Sequence, residues 1–187
     1  MKKEIKKFRD GMFSAPSRTY GETYMEPIIR KIFGYSESKG AENDALDNNK
    51  SVELKCSKVL NQKPKGKSLV EKIILESENN ELSRLTPFDN CLTSRYDANI
   101  QNVKRDHFDI LVYALLFEDC IKIFKSNRDD ISSIPNWSNK HGRYDAEGKS
   151  GQFAIKKNNI EWHLKNNLVY TLTWKEVYQV AKEISEK

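Results

Sequence analysis

The chain has 187 residues, which suits a single domain spanning 1–187 with a sizeable core. Hydrophobic residues make up 37% and charged residues 32%, so the composition is polar but globular. No apolar run approaches the roughly 18 residues of a membrane span, which excludes an integral helical membrane protein as the expected class. The formal net charge of +5 is placed unevenly.

The basic start, Met1 to Lys7, has no apolar stretch behind it and does not read as a secretory signal. Cys56, Cys91 and Cys120 are odd in number and show no Cys-x-x-Cys spacing. That points to a reducing cytoplasm rather than to a structural zinc or disulfide framework.

In chain order, residues 2–9 are basic with Ile5 and Phe8 three apart, which predicts a short helix or an arm able to touch a phosphate backbone. Gly11 to Ser17 reads as a breaker. Thr19 to Phe33 predicts a helix with Tyr24, Ile28, Ile29 and Ile32 on its apolar face and capping-box spacing between Thr19 and Glu22. Pro27 falls inside it, so the helix must kink there or restart. Gly34 ends it.

Tyr35 to Lys55 predicts a hairpin. Val52, Leu54 and Cys56 alternate with Glu53 and Lys55, the period-two pattern of a half-buried strand. Glu53 and Lys55 therefore leave one face together. Asp47-Asn48-Asn49-Lys50 is turn chemistry, which lets Asp44, nine residues before Glu53, sit on or beside the neighbouring strand. Two carboxylates and an ammonium then converge. Carboxylate oxygens and a backbone carbonyl suit a hard cation such as Mg²⁺. Such a cation polarises a phosphate and activates water, while a lysine orients that water or stabilises developing charge.

At these residues the chain resembles the PD-(D/E)XK nucleases, and most of all the type II restriction endonucleases. The run Asn43-Asp44-Ala45-Leu46-Asp47-Asn48, followed by Glu53-Leu54-Lys55, carries the resemblance. The proline that often precedes the first Asp is replaced by Asn43. The resemblance implies an α/β core with a mixed central sheet flanked by helices. It implies metal ligands at Asp44 and Glu53, a catalytic lysine at Lys55, and Mg²⁺ as cofactor with Mn²⁺ as a substitute. A glutamate on the first helix often approaches the metal in this family. Glu22 is the candidate here and Glu26 the alternate, against the plain reading of a helix-capping glutamate.

Residues 50–72 hold seven lysines and two glutamates, and three further glutamates follow within 76–81. A basic stretch directly after the expected catalytic strand is where a DNA backbone would lie, with Lys63, Lys65 and Lys67 as candidate contacts. A solvated lysine loop is the plain alternative. Leu69 to Leu75 reads as a strand or a short helix, and 76–102 as loops with a short helix. Phe108 to Phe117 is the most apolar run and predicts a central strand buried on both faces. Glu118-Asp119 turns the chain into a paired strand through Ile121, Ile123 and Phe124. His107, ahead of the central strand, is more often structural than catalytic.

Ser126 to Ile134 predicts a short capped helix. Residues 137–151 form a polar stretch in which Lys140, His141 and Arg143 are candidate DNA contacts. Gln152 to Ile155, Ile160 to Leu164 and Leu168 to Thr173 read as short strands with Asn-rich turns. Thr173 and Glu176 form a capping box for a last helix with Trp174, Val177, Tyr178, Ala181 and Ile184 on its apolar side.

The expected function is a Mg²⁺-dependent endonuclease acting on double-stranded DNA. The overall layout is similar to the small cleavage subunit of a heterodimeric type IIS restriction endonuclease, whose large subunit recognises the site and nicks. A homodimeric type II restriction enzyme is the competing form. A Holliday-junction resolvase or repair nuclease on the same fold, and a non-catalytic DNA-binding module, are the remaining readings.

Overall fold

The structure, a computed structural model, describes all residues except 39–42, 64–65, 79, 141–149 and 187, and leaves the side chains of 76–78 and 97 undescribed. It is a mixed α/β fold. A six-stranded sheet runs in the order β1 (Ser36–Glu37), β2 (Ala45–Asp47), β3 (Lys50–Lys58), β7 (Ile110–Leu116), β8 (Cys120–Asn127) and β10 (Leu168–Thr173). Among the described residues only the β3–β7 pairing of this sheet is parallel. Two small two-stranded sheets join β4 (Leu60–Asn61) to β5 (Tyr96–Asp97) and β6 (Asn99–Val103) to β9 (Gly151–Ala154).

The apolar run at 108–117 becomes β7, and every residue of that strand is buried. Each face of the sheet has its own core, because a strand sends alternate side chains to opposite sides. On one face, Val52, Leu54, Val112 and Ile123 pack against α1 (Lys3–Ser14), α2 (Glu26–Phe33) and α5 (Trp174–Ser185). On the other, Leu111, Tyr113 and Phe124 pack with Ile100, Phe153 and Ile160. The expected capping box opens α5: Glu176 N donates to Thr173 Oγ1, and Glu176 Oε2 accepts from Thr173 N.

Four expectations fail for local reasons. The first helix does not stop near Phe8 but runs through Gly11 to Ser14, because burying Met12 and Phe13 offsets the roughly 1 kcal/mol cost of an internal glycine. Ile160 to Leu164 is not a strand but lies in the helix α4 (Ile160–Asn166). Its buried residues, Ile160 and His163, stand three apart, which is helical spacing. Ser126 to Ile134 splits: β8 continues to Asn127, and a 3₁₀ turn without a side-chain cap follows over Arg128–Ser133. Tyr96 to Val103 holds two strands where loops were expected.

Leu69 to Leu75 resolves as part of a helix, α3 (Leu69–Glu78). Leu69, Val70, Ile73 and Ile74 stay exposed there, and no described α3 residue belongs to either core. Among the described residues no helix is long and apolar enough to cross a membrane.

Candidate active site

The site forms where β2 gives out. Its pairing with β3 ends at Ala45 opposite Val52. Beyond that rung Asp44 replaces the missing strand: its N–H donates to Val52 O at 3.0 Å, and its Oδ2 accepts from Leu54 N at 2.7 Å. A backbone donor that would otherwise lack a partner thus fixes the carboxylate against β3.

Glu53 and Lys55 leave the same face, as their spacing requires. Lys55 Nζ lies 2.6 Å from Glu53 Oε1 and 3.7 Å from Asp44 Oδ2. Glu53 is only 3% exposed. Burial raises its pKa, and Asp44 adds to that, while Lys55 opposes it without cancelling it. Burial works against the Lys55 ammonium, but Glu53 and Asp44 outweigh it and leave its pKa above the ordinary lysine value. The lysine is therefore a held cation. Burial likewise pushes the Cys56 thiol up, which keeps it neutral and unsuited to act as a nucleophile.

The helical side of the site comes from a π-helical turn, Thr19–Met25, that runs directly into α2. Pro27 at the start of α2 has no N–H to give to the preceding turn, and the wider π turn accommodates it inside one continuous helical run. Neither the capping box at Thr19 nor a sharp restart forms, since no side chain caps this segment.

The two glutamates then differ. Glu22 is exposed and pairs with Arg18 at 2.8 Å. Glu26 is half-buried; burial first, and then the charge of Asp44, push its carboxyl up to about 7. Both line a cavity of about 400 Å³ with Asp44, Lys55, Gln101 and Asn102. Glu26 is thus the glutamate that senses Asp44 and Lys55.

The remaining candidates lie elsewhere. Lys63 and Lys67 are exposed between β4 and α3. Lys140 is exposed beside β9, its backbone oxygen accepting from Gln152 Nε2 at 3.1 Å. Lys65, His141 and Arg143 lie outside the described residues. His107 is exposed on a 3₁₀ turn, Arg105–His107, and does not line the cavity. Sequence patterning does not single out Gln101, Asn102 or Lys104, whose charge reaches Glu53. The only signal for them is that Ile100 and Val103 stand three apart, which breaks strand alternation.

Among the described residues no group of three His, Cys, Asp or Glu side chains is arranged to hold a metal ion. Mg²⁺ needs less: one or two protein carboxylates, with water and substrate oxygens completing its octahedron. Asp44 and Glu53 offer oxygens of that type. Asn43, next to Asp44, also keeps its Oδ1 buried with no hydrogen-bond partner. Burial raises both Glu53 and Glu26, and a divalent cation would offset the Asp44 repulsion that adds to it, so the residues fit such an ion. No protein-family model, no curated protein and no solved structure matches the chain.

Proposed function

We propose that the chain is a Mg²⁺-dependent DNA endonuclease with a PD-(D/E)XK core. The observation that carries this reading is the convergence of Asp44, Glu53 and Lys55 at the open edge of β3, with the lysine within 4 Å of both carboxylates. The mixed sheet supports it: β3 carries Glu53-Leu54-Lys55 between an antiparallel hairpin partner and a fully buried parallel neighbour.

A divalent cation held by Asp44 and Glu53 would polarise the phosphodiester and acidify the attacking water. Lys55, held protonated by its neighbours, stabilises the negative charge that builds on the phosphate oxygens. It is thereby better placed as an electrostatic partner than as a base. We assign the proton of the attacking water to Glu26, whose carboxylate lines the same cavity. The water oxygen bonds to phosphorus as the opposite phosphorus–oxygen ester bond breaks, and the leaving ester oxygen takes a proton from solvent water, which is net hydrolysis.

One such site cuts one strand. The sequence carries one Asp…Glu-x-Lys set of this quality, so a double-strand break needs a second chain. We assign that role to a large recognition subunit, with this chain as its cleavage partner in a type IIS arrangement. Supercoiled plasmid with Mg²⁺, incubated with the chain alone and with a candidate recognition subunit, tests the reading. Slow nicking alone and linearisation only with the partner is the expected pattern. Unaided, sequence-specific double-strand breaks by a stable homodimer would overturn the subunit arrangement. Neither binding nor Mg²⁺-dependent cutting would overturn the nuclease reading itself.

A further inference from the structure

Strand β6 does not pass the site in regular register. Its pairing with β9 slips between Ile100 and Val103, and Asn102 takes the left-handed conformation with φ 56°. Few non-glycine residues adopt that region, and Asn is among those that tolerate it best. Such a bulge re-aims side chains, and bulges are common beside active sites.

The slip sets the exposed Gln101 and Asn102 in the wall of the cavity that holds Asp44, Lys55 and Glu26. Gln101 also lines an adjoining cavity of about 310 Å³ that extends past Ser57 to Arg84. The two cavities share Lys55 and Cys56, so together they make one groove along β3 with Gln101 at the junction.

Three other polar residues of this groove are committed. Ser57 Oγ accepts from Asn99 N at 3.0 Å, and Arg84 Nε donates to Asn61 O at 2.7 Å. Lys58 Nζ donates to Phe13 O and Ala15 O at 2.7 Å each and pairs with Glu81. The side-chain amides of Gln101 and Asn102 have no hydrogen-bond partner among the described residues. They are uncommitted donors in the cavity that holds Asp44, Lys55 and Glu26.

We infer that the Gln101–Asn102 bulge positions the substrate strand by donating amide N–H groups to phosphate oxygens flanking the scissile phosphate. This rests on the nuclease reading above. Phosphate is favoured over a base edge because the bulge shares its cavity with the groups that would act on the scissile phosphate, so the flanking backbone is the nearest part of the strand. Asp44, Glu22 and Glu26 line that cavity together with Lys55 and Arg18, so a neighbouring phosphate is held better where the wall also offers neutral hydrogen-bond donors. Exposed Lys104, two residues beyond Asn102, adds a cation whose charge reaches Glu53.

Asn102→Gly separates the amide from the backbone, since glycine keeps the left-handed conformation and loses the side chain. Asn102→Asp keeps tolerance of that conformation but replaces the donor with an anion. Single-turnover cleavage of a short duplex with Mg²⁺ at excess protein gives both the limiting rate and the half-saturating concentration. A hydrogen bond to a charged group supports a loss of about 10- to 100-fold in half-saturation for Asn102→Gly, with the limiting rate nearly unchanged. Asn102→Asp is expected to be worse, with its deficit growing at low salt, while both variants keep the wild-type melting temperature. Gln101→Ala should show the same split more weakly. Wild-type half-saturation in Asn102→Gly, beside an active wild-type protein, overturns the inference alone. Altered sequence preference at constant average affinity makes the contact a base contact and also overturns it. No cleavage by the wild-type protein at saturating concentration removes the nuclease reading and this inference together.

Discussion

His163 shows what a single residue does to this fold. Its ring is fully buried between Tyr113, Phe124, Phe153 and Trp162. Asn167 Nδ2 donates to the Tyr113 hydroxyl at 3.0 Å, and that hydroxyl is hydrogen-bonded to His163 Nδ1 at 2.8 Å. Burial disfavours a charged ring and lowers the His163 pKa to about 4. The unfolded chain takes up a proton near the ordinary value of about 6.5, whereas the folded chain does not until about 4. Stability contributed by the neutral ring is therefore complete above pH 6.5 and falls as the pH drops through this window, by up to ~1.4 kcal/mol per unit. The raised Glu26 carboxyl adds a slope of opposite sign over part of this range, so the difference between wild-type and His163→Phe denaturant titrations from pH 7 to 4 should show the histidine slope, with the variant costing ~1–2 kcal/mol at pH 7 for the hydrogen bond lost to the Tyr113 hydroxyl. An unchanged slope would assign the acid sensitivity to other groups.

At the level of elements, legibility follows the strength of the local pattern. Strand β3 is readable because Val52, Leu54 and Cys56 alternate cleanly with Glu53 and Lys55. The buried run at 108–117 and the Thr173–Glu176 cap are equally direct. Segments governed by tertiary context are not readable. The apolar spacing of α4 is hidden between asparagine pairs, and the π turn exists because Pro27 must be housed within a buried helical run. The bulge in β6 needs its β9 partner, some fifty residues away, before it has any meaning. Of the site, Asp44, Glu53 and Lys55 are legible, but the choice between Glu22 and Glu26 depends on which way the π turn faces. The lysine-rich segment between β4 and α3 is legible only as charge. Replacing Lys63, Lys65 and Lys67 together with glutamine should weaken DNA binding and reduce the log–log salt slope by about 0.9 for each phosphate no longer neutralised. An identical slope would mean that the segment is simply solvated.

For the whole molecule, a six-stranded sheet, two cores and a cavity at the open edge of β3 bring three charged residues and a half-buried glutamate together on a chain of net charge +5. That arrangement is costly unless it is used. Glu53 and Glu26 are pushed away from their ordinary pKa values, and Lys55 is held charged against burial. Removing Lys55 leaves Glu53 free to take up a proton, which limits the damage to folding and makes the alanine variants interpretable. The decisive measurement is strand cleavage by Asp44→Ala, Glu53→Ala and Lys55→Ala beside the wild-type protein, with and without Mg²⁺, with circular dichroism confirming the fold of each. Mg²⁺-dependent cleavage by the wild type, lost in all three folded variants, is the predicted result. Wild-type cleavage rates in any one of them would contradict the assignment.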